Sequence, residues 1–182
     1  MCCACARCQG RIAADIECAD ELLLTEFLYE GHWTSLSADE LAAILTAWLD
    51  VEKSSASRLQ IPTAPLQAAY AGVRELAQQL SVVSSECGLV LDSARYVASF
   101  KSDLIPITYA WVTGNAKSFA ELTAMSDLFE GTIIRLFRRL DEMFNQLIKA
   151  AQAIGERTLL ERLQEGQRKM KRGIMFAGSL YI

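Results

Sequence analysis

The chain has 182 residues, of which 52% are hydrophobic, and a formal net charge of −4. This length suits one domain with a sizeable core, and the apolar content excludes disorder as the overall state. No apolar run reaches the roughly 18 residues of a membrane span. The start, MCCACARCQ, has one Arg and no apolar h-region, so no secretory signal is read there. The expected compartment is cytosol or nucleus, with no membrane partner.

The net charge conceals an asymmetry. Residues 131–182 hold ten Lys/Arg and five Asp/Glu, a balance of +5, whereas the first 130 hold eight and seventeen, a balance of −9. A basic C-terminal third on an acidic body points to a face that meets something anionic, unless the charges are scattered over solvated helix faces.

In chain order, the first feature is a cluster of four cysteines, Cys2, Cys3, Cys5 and Cys8. Thiolate metal binding is one reading. Against it, no second CxxC follows, and the sole histidine, His32, is far away. Residues 1–9 are therefore expected to be a disordered terminus without metal, and residues 10–182 to form the domain. Cys18 and Cys87 are expected to be buried thiols.

The remainder reads as helix. ADELLLTEFLYEG (19–31) has apolar spacing of three and four and stops at Gly31. SADE at Ser37–Glu40 is a capping box opening a helix with Leu41, Ile44, Leu45 and Trp48. A polar connector (51–62) leads to a helix with the stripe Leu66, Ala69, Tyr70, Val73, Leu76, Ala77, Leu80 and Val83. Cys87-Gly88 breaks it. Asp92 caps the next segment, Pro106 kinks it or begins a new helix, and Gly114-Asn115 ends it. Ser118 and Glu121 form a second capping box for a short helix. A turn then leads into a long helix near residues 127–154, as in a helix-turn-helix unit. The last helix runs from about Thr158 to Arg172 and ends in Arg168, Lys169, Lys171 and Arg172. The apolar tail IMFAGSLYI is expected to dock on the core. The fold class is all-α, a helical bundle with one long helix.

Known catalytic chemistry is not legible. GxxxxGK[ST], HExxH and GxSxG do not occur, so no catalytic residue, metal or cofactor is assigned to this chain. His32 is read as structural. Asp20/Glu21 and Asp39/Glu40 stand at helix starts, where the helix dipole favours them.

The long helix buries Ile133, Phe137, Leu140, Phe144, Leu147 and Ala151 in one stripe, at 100° per residue. Arg135, Arg139 and Glu142 fall opposite. The arginines suit phosphates or base stacking, and Glu142 suits a base amino group. An exposed Arg139–Glu142 ion pair is the alternative, contributing only about 0.2–0.5 kcal/mol.

Several segments carry a resemblance: GRIAADI (10–16), ADELLLTEFLYEG (19–31), LSADELAAIL (36–45), YVASFKSDLIPITYAWVTG (96–114), MSDLFEGTIIRLFRRLDE (125–142), AAQAIG (150–155) and KRGIMFAGSLYI (171–182). Together they resemble the C-terminal helical (DSHCT) domain of the DExH-box RNA helicases that feed RNA to the exosome. The resemblance implies a non-catalytic domain beside helicase motor and winged-helix domains. There a ratchet-like helix guides single-stranded RNA during unwinding, processing and decay. It places the family's RNA-contacting arginine and glutamate at Arg139 and Glu142; Arg135 is added from geometry. ATP and Mg belong to the parent's motor domains, and the exosome is a partner through the parent. YVASFKSDL is closer to the nuclear mRNA-transport member than to the cytoplasmic superkiller member, so the expected location is nuclear, with cytoplasmic as the alternative. The family commonly has Asp and Ala where this chain has Gly173 and Gly178. A different class remains open: a free-standing helical module that docks on a helicase or adaptor without binding RNA.

Without a phosphate-cradling loop, the purified chain should release no phosphate from ATP, with or without RNA. Turnover that persists through stringent purification would contradict this.

Overall fold

Ser37 shows how local chemistry sets the architecture. Its hydroxyl accepts the Glu40 N–H at 3.2 Å, and Glu40 Oε2 accepts the Ser37 N–H at 2.9 Å. This reciprocal cap satisfies two backbone donors that a helix start otherwise leaves open. Beyond its acidic first turn, the helix it starts is apolar on all sides, as a helix at the centre of a bundle must be.

The computed structural model describes residues 3–49, 59–126 and 128–172, with side chains from residue 9 onward. Among these residues all regular structure is helical: α1 (Cys3–Ala14), α2 (Glu21–Tyr29), α3 (Ala38–Ile44) continued by a 3₁₀ turn (Leu45–Trp48), α4 (Ala64–Glu86), α5 (Ser93–Ser99), α6 (Ile105–Thr113), α7 (Phe119–Ala124), α8 (Glu130–Ile154) and α9 (Arg157–Met170). The fold class is all-α, as expected. None of these helices is long and apolar enough to cross a membrane. The tail from 173 and most of the connector lie outside the described residues. α1 takes in part of the cysteine-rich segment expected to be disordered.

α3 is the hub. Leu41, Ala42, Ala43, Ile44 and Leu45 are fully buried, with α6 and α9 packed on it, and α4 beside them. α9 in turn packs on α8, and α1 bridges α2 and α8. Burying each large apolar side chain stabilises by about 1.5–3 kcal/mol.

The punctuation follows the residues. Gly114 and Gly155 end α6 and α8 at φ +84° and +81°, left-handed conformations that glycine adopts without steric cost. Pro106 lies in the first turn of α6, where its missing N–H costs no helix bond. Asp92 Oδ1 caps α5 at Arg95 N, 3.1 Å. The second capping box is only half formed. Ser118 Oγ accepts the Glu121 N–H, but Glu121 Oε2 takes the Lys117 N–H at 2.7 Å, one residue earlier than a reciprocal box requires. Cys87 is also a correction: it is exposed, Cys18 half-buried. The end of α4 runs past the core: Val82 and Val83 before Cys87 and Leu89 and Val90 after it are exposed as well.

The packing of α9 on α3 depends on Gly166. A Cβ there would sit 2.8 Å from the Ala38 carbonyl oxygen. Helix propensity alone favours alanine over glycine by about 0.5–1 kcal/mol, but crowding a packed site costs about 1–3 kcal/mol. Gly166→Ala should therefore destabilise. Gly131→Ala on α8, where a Cβ would meet nothing within 4 Å, should stabilise. The two melting temperatures should move in opposite directions, by about 2–4 °C per kcal/mol.

Candidate RNA-facing surface

α8 owes its position to its apolar side. Ile133, Phe137, Leu140, Met143, Phe144, Leu147 and Ala151 are buried against the bundle. A straight helix that fixes this stripe also fixes what lies opposite. Arg135, Arg139 and Glu142 are all exposed there, so the structure brings the three residues onto one face.

Their partners differ. Arg135 Nε donates to the Gly131 carbonyl one turn back, at 3.2 Å. Glu142 Oε1 accepts a long hydrogen bond from Gln146 Nε2, at 3.4 Å. Among the described residues no carboxylate lies within 4.0 Å of an Arg139 nitrogen, so the Arg139–Glu142 ion pair that the spacing permits is not formed. Arg139 thus holds an uncommitted planar fork of donors beside a carboxylate that can only accept.

The other expected basic cluster has a different fate. Arg168 forks onto Glu165 at 2.7 Å, Lys169 pairs with Asp39 at 2.7 Å, and Lys171 pairs with Asp141 at 2.8 Å. Hydrogen bonding to Asp39 raises the Lys169 ammonium above its ordinary range. Arg172 lies over the Trp111 ring, 4.1 Å from its centroid, and donates to the carbonyls of Trp111 and Ala116. Burial lowers its pKa. Lys169, Lys171 and Arg172 join the end of α9 to α3, α8 and α6, so their positive charge is internal bracing, whereas Arg168 is exposed and paired within α9. Arg162, which sequence reasoning passed over, does the same. Its Nη1 donates to the carbonyls of Trp33, Thr34 and Leu36 at 3.2, 2.8 and 2.7 Å, closing the turn between α2 and α3.

The acidic pairs at helix starts are structural. Asp20 Oδ1 caps α2 at Leu23 N, and Oδ2 accepts the Tyr96 hydroxyl, both at 2.8 Å. Burial and this bond raise the Tyr96 phenol well above its ordinary range. Burial opposes ionisation of Glu40, but its hydrogen bonds from Ser37 and Thr63 outweigh that and hold its carboxyl below the usual value. His32 stacks on Phe27 at 5.8 Å and reaches Glu30 at 3.2 Å. Its ring fills the space beside Gly72.

Sequence reasoning also missed Gln146. It lies seven residues after Arg139, in the same row, yet it is only 9% exposed because the turn between α1 and α2 covers it. The i, i+4 spacing from Glu142 was the available signal. Among the described residues no group of three or more His, Cys, Asp or Glu could hold a metal ion.

The profile of the DSHCT (NUC185) domain matches residues 6–177. The chain is similar to the human protein named Exosome RNA helicase MTR4, 41% identical over 176 residues, covering 96% of this chain and 16% of that protein. It is 39% identical over 178 residues to the Arabidopsis thaliana DExH-box ATP-dependent RNA helicase DExH10, covering 96% and 17%. The Schizosaccharomyces pombe ATP-dependent RNA helicase mtr4 is 35% identical over 177 residues, covering 96% and 15%. The chain thus spans about one sixth of the length of these relatives.

The two kinds of arginine should separate on melting. Arg162→Ala removes three bonds from a charged donor and should cost about 1.5–3 kcal/mol. Arg139→Ala should stay within about 0.5 kcal/mol of the parent. Thermal unfolding followed by circular dichroism measures both, and equal losses would contradict the division.

Proposed function

The chain belongs to the DSHCT (NUC185) domain family, and on that premise we propose that it is the non-catalytic RNA-guiding part of an exosome-cofactor helicase. Single-stranded RNA passes along the exposed face of α8. Arg139 and Arg135 meet its phosphates or stack on its bases, and Glu142 accepts hydrogen bonds from base amino groups. ATP and Mg²⁺ are assigned to motor domains of the parent helicase, and this domain lies beside them and a winged-helix domain. The exosome is reached through that parent, and the location is nuclear.

The observation that carries the reading is the uncommitted guanidinium of Arg139 beside Glu142. The cations of α9 are held by carboxylates or backbone carbonyls, whereas this one faces outward without a carboxylate partner. The names of the relatives support the helicase context.

A second reading, a protein-docking module without RNA contact, rests on exposed apolar side chains at the end of α4 and after it. Val82 and Val83 are 52% exposed, Leu89 63% and Val90 fully. Contiguous apolar surface of this kind often marks an interface.

Salt separates the two. Phosphate contacts release counterions, so RNA affinity should fall steeply with salt, with a slope of roughly −0.7 per phosphate contacted on a single strand. Grafted onto an intact motor of this family, Arg139→Ala should reduce unwinding about ten-fold, the scale of one lost stacking contact of ~1–3 kcal/mol. RNA-independent ATPase activity should be unchanged. Normal strand separation by a folded Arg139→Ala, Glu142→Ala double variant would return α8 to an ordinary solvated face.

A further inference from the structure

Gln146 occupies a position that its neighbours in the row do not explain. It is a polar side chain on the polar face of α8, yet it is nine-tenths buried. An amide buried without partners is costly, and this one has partners at both its oxygen and its nitrogen. Its Oε1 accepts the Glu17 N–H at 2.9 Å, the Cys18 N–H at 3.3 Å and the Cys18 thiol at 3.0 Å. Three donors converge on one atom. An amide nitrogen cannot accept, so the orientation of the group is determined by its surroundings. Nε2 is left facing Glu142 Oε1 at 3.4 Å.

We infer that Gln146 is a positioning residue for the α8 face: it pins the turn between α1 and α2 against α8 and, through its other end, holds the Glu142 carboxylate in place. The inference rests on the reading of α8 as an RNA-contacting face. It adds that the acceptor in that face is pre-oriented by a group that never touches RNA. Pre-orientation lowers the ordering cost of a contact. The same side chain ties Glu142 to the segment carrying Cys18, so the turn and the face respond as one unit.

Two substitutions divide the roles. Gln146→Glu keeps oxygen acceptors for the Glu17 and Cys18 amides but removes the donor to Glu142 and places a like charge beside it. Ionised carboxylates this close repel. Gln146→Leu removes acceptor and donor together. Hydrogen exchange reads the anchor. Amide exchange at Glu17 and Cys18 should stay slow in Gln146→Glu and accelerate about ten-fold or more in Gln146→Leu, as local opening becomes easier. Unchanged exchange in Gln146→Leu would overturn the anchoring role.

Fluorescence anisotropy of the full chain with a labelled oligoadenylate of about twelve nucleotides, whose bases carry the amino groups that Glu142 would accept from, reads the positioning. At low salt and pH 8, Glu142→Ala and Gln146→Glu should each weaken binding by about two- to ten-fold, the scale of one hydrogen bond. The double variant should be no weaker than either single variant, because Gln146 acts through Glu142. If Arg139→Ala and Glu142→Ala weaken binding but Gln146→Glu does not, or if the two losses add in full, the positioning role is overturned and the RNA reading stands. If Arg139→Ala and Glu142→Ala leave affinity unchanged, or the parent chain does not bind, the RNA reading falls and the positioning role with it.

Discussion

The structure depends on one close approach, that of α9 to α3. After its first turn α3 has no solvated side: Leu41, Ala42, Ala43 and Ile44, and Leu45 that follows, are fully buried. A helix of this kind holds only if its neighbours come near enough to exclude water all round. α9 does so at Gly166, whose missing side chain leaves room for the Ala38 carbonyl, with Ala42 and Phe144 closing the same space. α8 then packs on α9, and the direction of its polar face is inherited from that contact.

Charge is divided in a way that counting does not reveal. Lys169, Lys171 and Arg172 reach Asp39, Asp141 and the carbonyls of Trp111 and Ala116, and they brace helices that are remote in sequence. Arg139 is left outside this bracing. A cation without an internal partner keeps its donors open to solvent. It forms a contact with an incoming anion without first breaking one within the protein. The electrostatic asymmetry of the sequence is therefore real, but its outward expression is concentrated on α8.

Much of the fold was legible because it is written locally. Ser37 with Glu40, Asp92, Gly114 and Gly155 act within one helical turn of themselves, so reading neighbours suffices. The row Arg135, Arg139 and Glu142 was legible for the same reason, since a 100° step places residues on a face. Periodicity does not say what another segment lays over that face. Gln146 stands in the row yet is covered by residues some 130 positions earlier in the chain, Glu17 and Cys18. Arg162 and Arg172 were invisible as clamps because their acceptors are backbone carbonyls, which every residue carries. The half-formed box at Ser118 shows the opposite failure. The motif is present, but Glu121 has a second backbone N–H within reach and takes it.

Gly166 and Arg162 are one turn apart on α9, and together they act as a register lock. Sliding α9 along α3 by a single residue would drive a side chain into the Ala38 carbonyl and pull the guanidinium of Arg162 off the carbonyls of Trp33, Thr34 and Leu36. Neither loss is gradual: one is a steric wall, and the other the simultaneous release of three bonds. The register of the central helix contact thus resides in a glycine and an arginine, neither of which stands on the exposed face of α8.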